Sequence, residues 1–267
     1  MKKRILLVAN WKTVVKTEED ALNLFNSIKN VLVRNSTTEM IVCPPSIYLN
    51  QIGKEVISDH YNLGAQDAYP DDIGNRTGEV TMSMIKDAGA KYVILGNSER
   101  SHLEDRHDIA YKVTAALENE IQPIICVGEK QRDKDWKKEL IAQVRESFYR
   151  VSKKNPENIV IVYEPEWAIY SDKKNPATSV QYNEAMEVIK KELHKLFKTL
   201  KAVESIKFLY GGSLDDKNIE DYLKNTNVDG FMVGRVAHDP RILMTMFRLI
   251  SEGLDLRAKA LKELENE

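Results

Sequence analysis

The sequence predicts an α/β fold in which strands of a parallel sheet alternate with helices, and an eight-stranded (βα)8 barrel is the form it favours. Three observations carry this. Eight short apolar runs recur along the chain: Ile5–Ala9, Met40–Cys43, Asn62–Ala65, Tyr92–Leu95, Pro123–Val127, Ile159–Tyr163, Ile206–Tyr210 and Gly230–Val233. They are continuous rather than alternating, as strands buried on both faces are. The length of 267 residues suits one closed α/β barrel. A doubly wound open sheet gives a similar pattern, and periodicity alone does not close the sheet.

The stretches between the runs read as helices. Thr17-Glu18-Glu19-Asp20 resembles a capping box, and Leu24, Ile28, Val31 and Leu32 follow at helical spacing. Residues 46–60 give no clear element. Thr178 or Ser179 can cap a helix marked by Ala185, Val188, Ile189, Leu193 and Leu196. Beyond residue 253 the chain is charged, with Ala258, Leu261 and Leu264 on one helical face, and reads as a solvated terminal helix. No repeat, linker or composition shift divides the rest. The expectation is a single barrel domain over 1–253 with a charged helical tail over 254–267.

Composition narrows the function. Apolar residues make up 42% and charged residues 30%, with a net charge of −2, so there is no basic field to favour nucleic acid. The basic start precedes an apolar run of only five residues, Ile5 to Ala9, whereas a signal sequence needs about 7 to 15. No run approaches the roughly 18 apolar residues of a membrane span. Cys43 and Cys126 sit inside apolar runs and read as buried, reduced thiols. A cytoplasmic protein with neither membrane nor nucleic-acid partner is expected.

In a parallel barrel the functional residues follow the strands. Asn10 and Lys12 follow the first run, Gly96-Asn97-Ser98-Glu99-Arg100 the fourth, and Gly128-Glu129 the fifth. Glu164-Pro165-Glu166-Trp167 follows the sixth, Gly211-Gly212-Ser213 the seventh, and Gly234-Arg235 the eighth. At these residues the chain resembles the triosephosphate isomerase family. ANWK at 9–12, CPP at 43–45, TGE at 77–79, GNSER at 96–100, CVGE at 126–129, YEP-x-WAI at 163–169, YGGS at 210–213 and DGFMVG at 229–234 fall in the family's order.

The resemblance implies a TIM barrel and aldose–ketose isomerisation of a small phosphorylated sugar through an enediolate, with no cofactor. It implies that Glu164 is the base that moves a proton between neighbouring carbons; this chemistry is a worked case in general treatments of tuned carboxylates. Lys12 matches the substrate-binding lysine, Asn10 the residue that orients it, and Glu99 its buried acidic partner. Cys126 is a supporting residue. Ser213 and Gly234 would offer backbone donors to the phosphate. Gln66 and the loop around Thr77 resemble the family's dimer contact, so a homodimer is implied.

The pattern breaks in four places. Asn97 stands where the family has an electrophilic histidine; an amide donates a hydrogen bond but does not readily exchange a proton near neutral pH. Ser101 replaces an arginine. The lid reads Tyr170-Ser171-Asp172-Lys173-Lys174-Asn175-Pro176-Ala177, without glycine and about two residues longer than expected, so that Tyr170 occupies a phosphate-contact position. Arg235 replaces a glycine, and both it and the lid resemble relatives acting on four-carbon ketose phosphates. The alternatives are therefore an erythrulose phosphate isomerase and a non-catalytic sugar-phosphate binder. The five histidines, His60, His102, His107, His194 and His238, show no metal-ligand spacing, so no metal is expected.

Overall fold

The computed structural model describes residues 4–32, 37–56, 60–71, 74–151, 158–169, 176–198 and 200–265, with side chains at 30–32 and 257–265 excepted. Eight strands run in chain order: β1 (Ile5–Asn10), β2 (Thr38–Cys43), β3 (Tyr61–Ala65), β4 (Tyr92–Leu95), β5 (Gln122–Val127), β6 (Val160–Tyr163), β7 (Lys207–Tyr210) and β8 (Gly230–Val233). Each pairs in parallel with its neighbours and β8 returns to β1, with Leu6 opposite Gly230. The sheet is closed, which excludes the doubly wound alternative.

Both faces of every strand are covered, and this explains the unbroken apolar runs. In β1, Leu6 and Val8 point into the barrel to meet Ile94, Ile124, Val162 and Leu209. Ile5, Leu7 and Ala9 point outward into the layer shared with the helices. Strand ends depart from the runs by one or two residues. The ladder needs backbone groups rather than apolar side chains, so β2 starts at fully buried Thr38 and Glu39, whose carboxylate accepts from Asn62 Nδ2 at 2.7 Å.

The helices are α1 (Glu18–Leu32), α2 (Leu49–Glu55), α3 (Met82–Asp87), α4 (Arg106–Glu118), α5 (Trp136–Phe148), α6 (Glu166–Ile169), α7 (Ser179–Phe197), α8 (Leu200–Glu204), α9 (Ile219–Asn225) and α10 (Pro240–Glu265). Thr17 Oγ1 accepts the Asp20 N–H ahead of α1 at 3.0 Å. Thr178, not Ser179, caps α7, in a reciprocal box with Gln181. The unassigned stretch after β2 holds a 3-10 turn, Ser46–Tyr48, and then α2, which buries only Leu49 and Ile52. Two buried residues are too few to mark a helical period. Helix α10 packs on α1 and α9 and runs unbroken across residue 253; the side chains of Ala258, Leu261 and Leu264 lie outside the described residues. Among the described residues no helix is long and apolar enough to cross a membrane.

Candidate active site

The loops after β1, β4, β6, β7 and β8 meet at one end of the barrel around a cavity of about 260 Å³. Lys12 enters it from the β1 loop. Its backbone is left-handed, φ 50°, a conformation that costs an ordinary residue about 1–2 kcal/mol per residue and persists only where neighbours enforce it. The Lys12 N–H donates to Asn10 Oδ1 at 3.0 Å and the Lys12 carbonyl accepts from Gln66 Nε2 at 2.9 Å. Across the closing seam Gly234 leaves room for the lysine stem: a Cβ there would lie 2.7 Å from Lys12 Cε.

The ammonium pairs with Glu99, as the resemblance implies, but Glu99 is exposed rather than buried. It stands on the 3-10 turn Ser98–Arg100 at the rim, where no described element of this chain covers it. Gln66 stands in the bend after β3; its amide donates at 2.9 Å to the carbonyls of both Lys12 and Cys43 and ties the β1 and β2 ends together. Thr77 lies in an exposed stretch, 74–79.

Glu164 follows β6 and is 7% exposed. Its backbone N–H reaches Val127 O at 2.8 Å, and Gly128 makes that approach possible, since a Cβ there would fall 2.1 Å from Glu164 O. The carboxylate accepts from Asn97 Nδ2 at 2.9 Å on both oxygens and from the Ser98 N–H at 3.3 Å. Burial pushes its pKa up to about 7, opposed by the Ser98 N–H and by Lys12. Asn97 is held at its other end too: Oδ1 accepts the Glu99 N–H at 3.2 Å and caps the 3-10 turn. Its NH2 therefore faces the carboxylate, with the Cys126 sulfur alongside. Cys126 lies buried beside both side chains, its thiol pKa raised first by burial and then by Glu164.

Asn10, Glu99, Ser213, Gly234 and Arg235 line the cavity with Lys12 and Glu164, so these residues singled out from sequence share one space. Tyr170 lies outside the described residues. His102 is exposed and does not line the cavity. Among the described residues no group of His, Cys, Asp and Glu is arranged to hold a metal ion.

Four supporting features had no assigned role. Arg106, at the start of α4, sits behind Gly96 and donates to Cys126 O at 2.9 Å and to Gln143 Oε1 at 3.2 Å. It lines a second cavity, about 420 Å³, with Ser101, Asn97 and Glu166. Fully buried Glu129 accepts from Tyr163, Trp167 and Arg132 at 2.8, 3.1 and 2.9 Å, fastening α6 at the first end of the lid. At the other end Tyr210 Oη accepts the Ala177 N–H at 3.0 Å. His238 reaches back to the β1 loop. Only the motif positions of Glu129 and Tyr210 gave any hint of these.

A buried carboxylate titrating near neutrality shares a small polar cavity with a lysine at the C-terminal mouth of a parallel barrel, and the class this defines is the aldose–ketose isomerases, intramolecular oxidoreductases. The sequence profile described as triosephosphate isomerase matches residues 5–250. Triosephosphate isomerase of Rhodopirellula baltica is 38% identical over 239 residues, covering 88% of this chain and 92% of the relative. Those of Endomicrobium trichonymphae and Caldanaerobacter subterraneus subsp. tengcongensis are 35% and 32% identical, covering 86% and 87% of this chain and 92% and 94% of the relatives. The chain belongs to the triosephosphate isomerase family.

Proposed function

We propose that the protein interconverts glyceraldehyde 3-phosphate and dihydroxyacetone phosphate through an enediolate, more slowly than a relative with histidine at position 97. The observation that carries this reading is Glu164, buried at the cavity floor with a pKa of about 7, where a carboxylate is ionised yet basic enough to take a carbon-bound proton. The base must first leave Asn97 and Ser98. Glu164 then removes a proton from the carbon beside the substrate carbonyl, and the pair of electrons moves onto the carbonyl oxygen. Lys12 stabilises the enediolate charge. The Asn97 amide, released from the carboxylate, donates to an enediolate oxygen. Because the amide does not carry a proton between the two oxygens, Glu164 makes that transfer before returning a proton to the second carbon. The β7 and β8 loops, at Ser213 and Gly234, take the phosphate.

A second reading is an isomerase of erythrulose phosphate. Arg235 favours it, an added cation lining the cavity where the resemblance calls for glycine. Assembly as a homodimer through the loop at Thr77 fits the exposure of 74–79, and a reducing, cytoplasmic compartment fits the two buried free thiols. The test is a coupled assay on triose and tetrulose phosphates with wild type and Glu164→Asp. Turnover of the triose phosphate, falling about 10²-fold when the carboxylate is withdrawn by one methylene, is expected. Turnover of the tetrulose phosphate alone selects the second reading; activity on neither marks a binder.

A further inference from the structure

The left-handed backbone at Lys12 has a third restraint, which comes from across the barrel seam. His238 Nε2 lies 2.7 Å from the carbonyl oxygen of Trp11, the residue before Lys12. Both ring nitrogens face carbonyl oxygens, which cannot donate, and the contact at hydrogen-bond length, 2.7 Å, assigns the proton and the donor role to Nε2. The acceptor is shared with the Val14 N–H at 3.3 Å. His238 closes the 3-10 turn Arg235–His238 that follows Gly234, and its Nδ1 stands 3.3 Å from Arg235 O. One imidazole thus spans the β8 turn that lines the cavity and the peptide that aims the lysine into it.

The rest of that peptide is already fixed. The Trp11 side chain is fully buried, and its backbone N–H donates to Cys43 O at 3.0 Å. Asn10 and Gln66 hold the N–H and the carbonyl of Lys12. The plane between Trp11 and Lys12 carries the Lys12 N–H, held by Asn10 Oδ1, and the Trp11 carbonyl, held weakly by Val14 and at shorter range by His238; its tilt sets where the lysine stem runs past Gly234. We propose that His238 is a positioning residue: it locks the Trp11–Lys12 peptide plane to the β8 turn and so places the Lys12 ammonium for the substrate anion. This rests on the reading of Lys12 as the anion ligand.

The test uses glycerol 3-phosphate, which has no carbonyl to enolise, titrated by NMR into wild type, His238→Ala, His238→Gln, Lys12→Ala and the double variant His238→Ala/Lys12→Ala. Losing one net hydrogen bond is worth roughly fivefold in an equilibrium. His238→Ala is expected to weaken binding by about that factor and to lower kcat/KM by at least as much, since Lys12 also meets the enediolate charge. His238→Gln, whose amide reaches as far as Nε2, is expected to restore binding to within about twofold. On the Lys12→Ala background His238→Ala is expected to add nothing. If alanine perturbs the fold, His238→Asn replaces it, since asparagine keeps a polar side chain of partial size but falls short of Trp11 O. Unchanged binding in His238→Ala, failure of glutamine to rescue, or an undiminished effect without Lys12 would each overturn the positioning role. Unchanged binding in Lys12→Ala would instead remove the reading beneath it, and that arm alone tells the two failures apart.

Discussion

At Glu164 the chain keeps a carboxyl group where water has been largely removed, and the result is a proton held until about pH 7. Free glutamate ionises near 4.5, so the folded protein binds one more proton than the unfolded chain between the two values. The stability this proton brings is complete below the lower value and is lost as pH rises through about 7. Glu164→Gln, which cannot ionise, is therefore expected to melt with wild type at pH 4 and above it at pH 8, by on the order of 1–3 kcal/mol. Differential scanning calorimetry at the two pH values checks this. In the same window kcat/KM of wild type is expected to fall about tenfold per pH unit below 7, because only the ionised form is a base. Asn97 carries the second expectation at this scale. Its amide is spent at both ends, on the Glu99 N–H and on Glu164. Asn97→His is expected to raise kcat by about 10- to 10²-fold with KM less affected, since a positioned acid–base group acts in the transition state. A slower variant than wild type, measured on the same substrate, would mean that the site has been rebuilt around asparagine.

Elements hold these residues in place, and α4 is the one whose start matters most. Asp105 caps it, accepting from His107 N and Asp108 N at 2.8 and 3.0 Å while Asp108 returns the bond to the Asp105 N–H. Arg106 follows at once and braces Cys126 O. Asp105→Ala is expected to cost about 1 kcal/mol, read as a lowered urea midpoint at unchanged slope. The sequence foretold the strands well because burial on both faces leaves an apolar run as its mark. The candidate site was legible where a residue follows such a run: Lys12, Asn97, Glu164, Ser213 and Gly234 all do, and the structure brings them to one end of the barrel. Helix α2 escaped notice because its two buried residues make no period. Arg106 and His238 escaped for another reason. Each bonds a backbone carbonyl far along the chain, Cys126 O and Trp11 O, and a carbonyl is present at every residue, so no residue type marks the target. The Lys12 and Cys43 carbonyls that Gln66 meets were hidden on the same account.

Over the whole molecule, Val14 after β1, Ile47 after β2, Met84 on α3 and Leu103 after β4 are large apolar side chains left exposed. A second copy of the chain covering these side chains is expected, and light scattering at micromolar concentration should give twice the chain mass of 30.6 kDa. A single-chain mass with native circular dichroism would contradict it. The seam that brings His238 to Trp11 has a consequence for synthesis as well. Leu6 finds its partner Gly230 only after more than two hundred further residues have been made. At about 5–20 residues per second that is roughly 10–45 s during which the growing sheet is an open ribbon. Throughout this interval β1 and whichever strand emerged last present raw, unpaired backbone to the cell. The finished barrel has no such edges, so the interval at risk of strand-to-strand aggregation belongs to the nascent chain, and a ribosome stalled just before β8 is where a chaperone should be found most often.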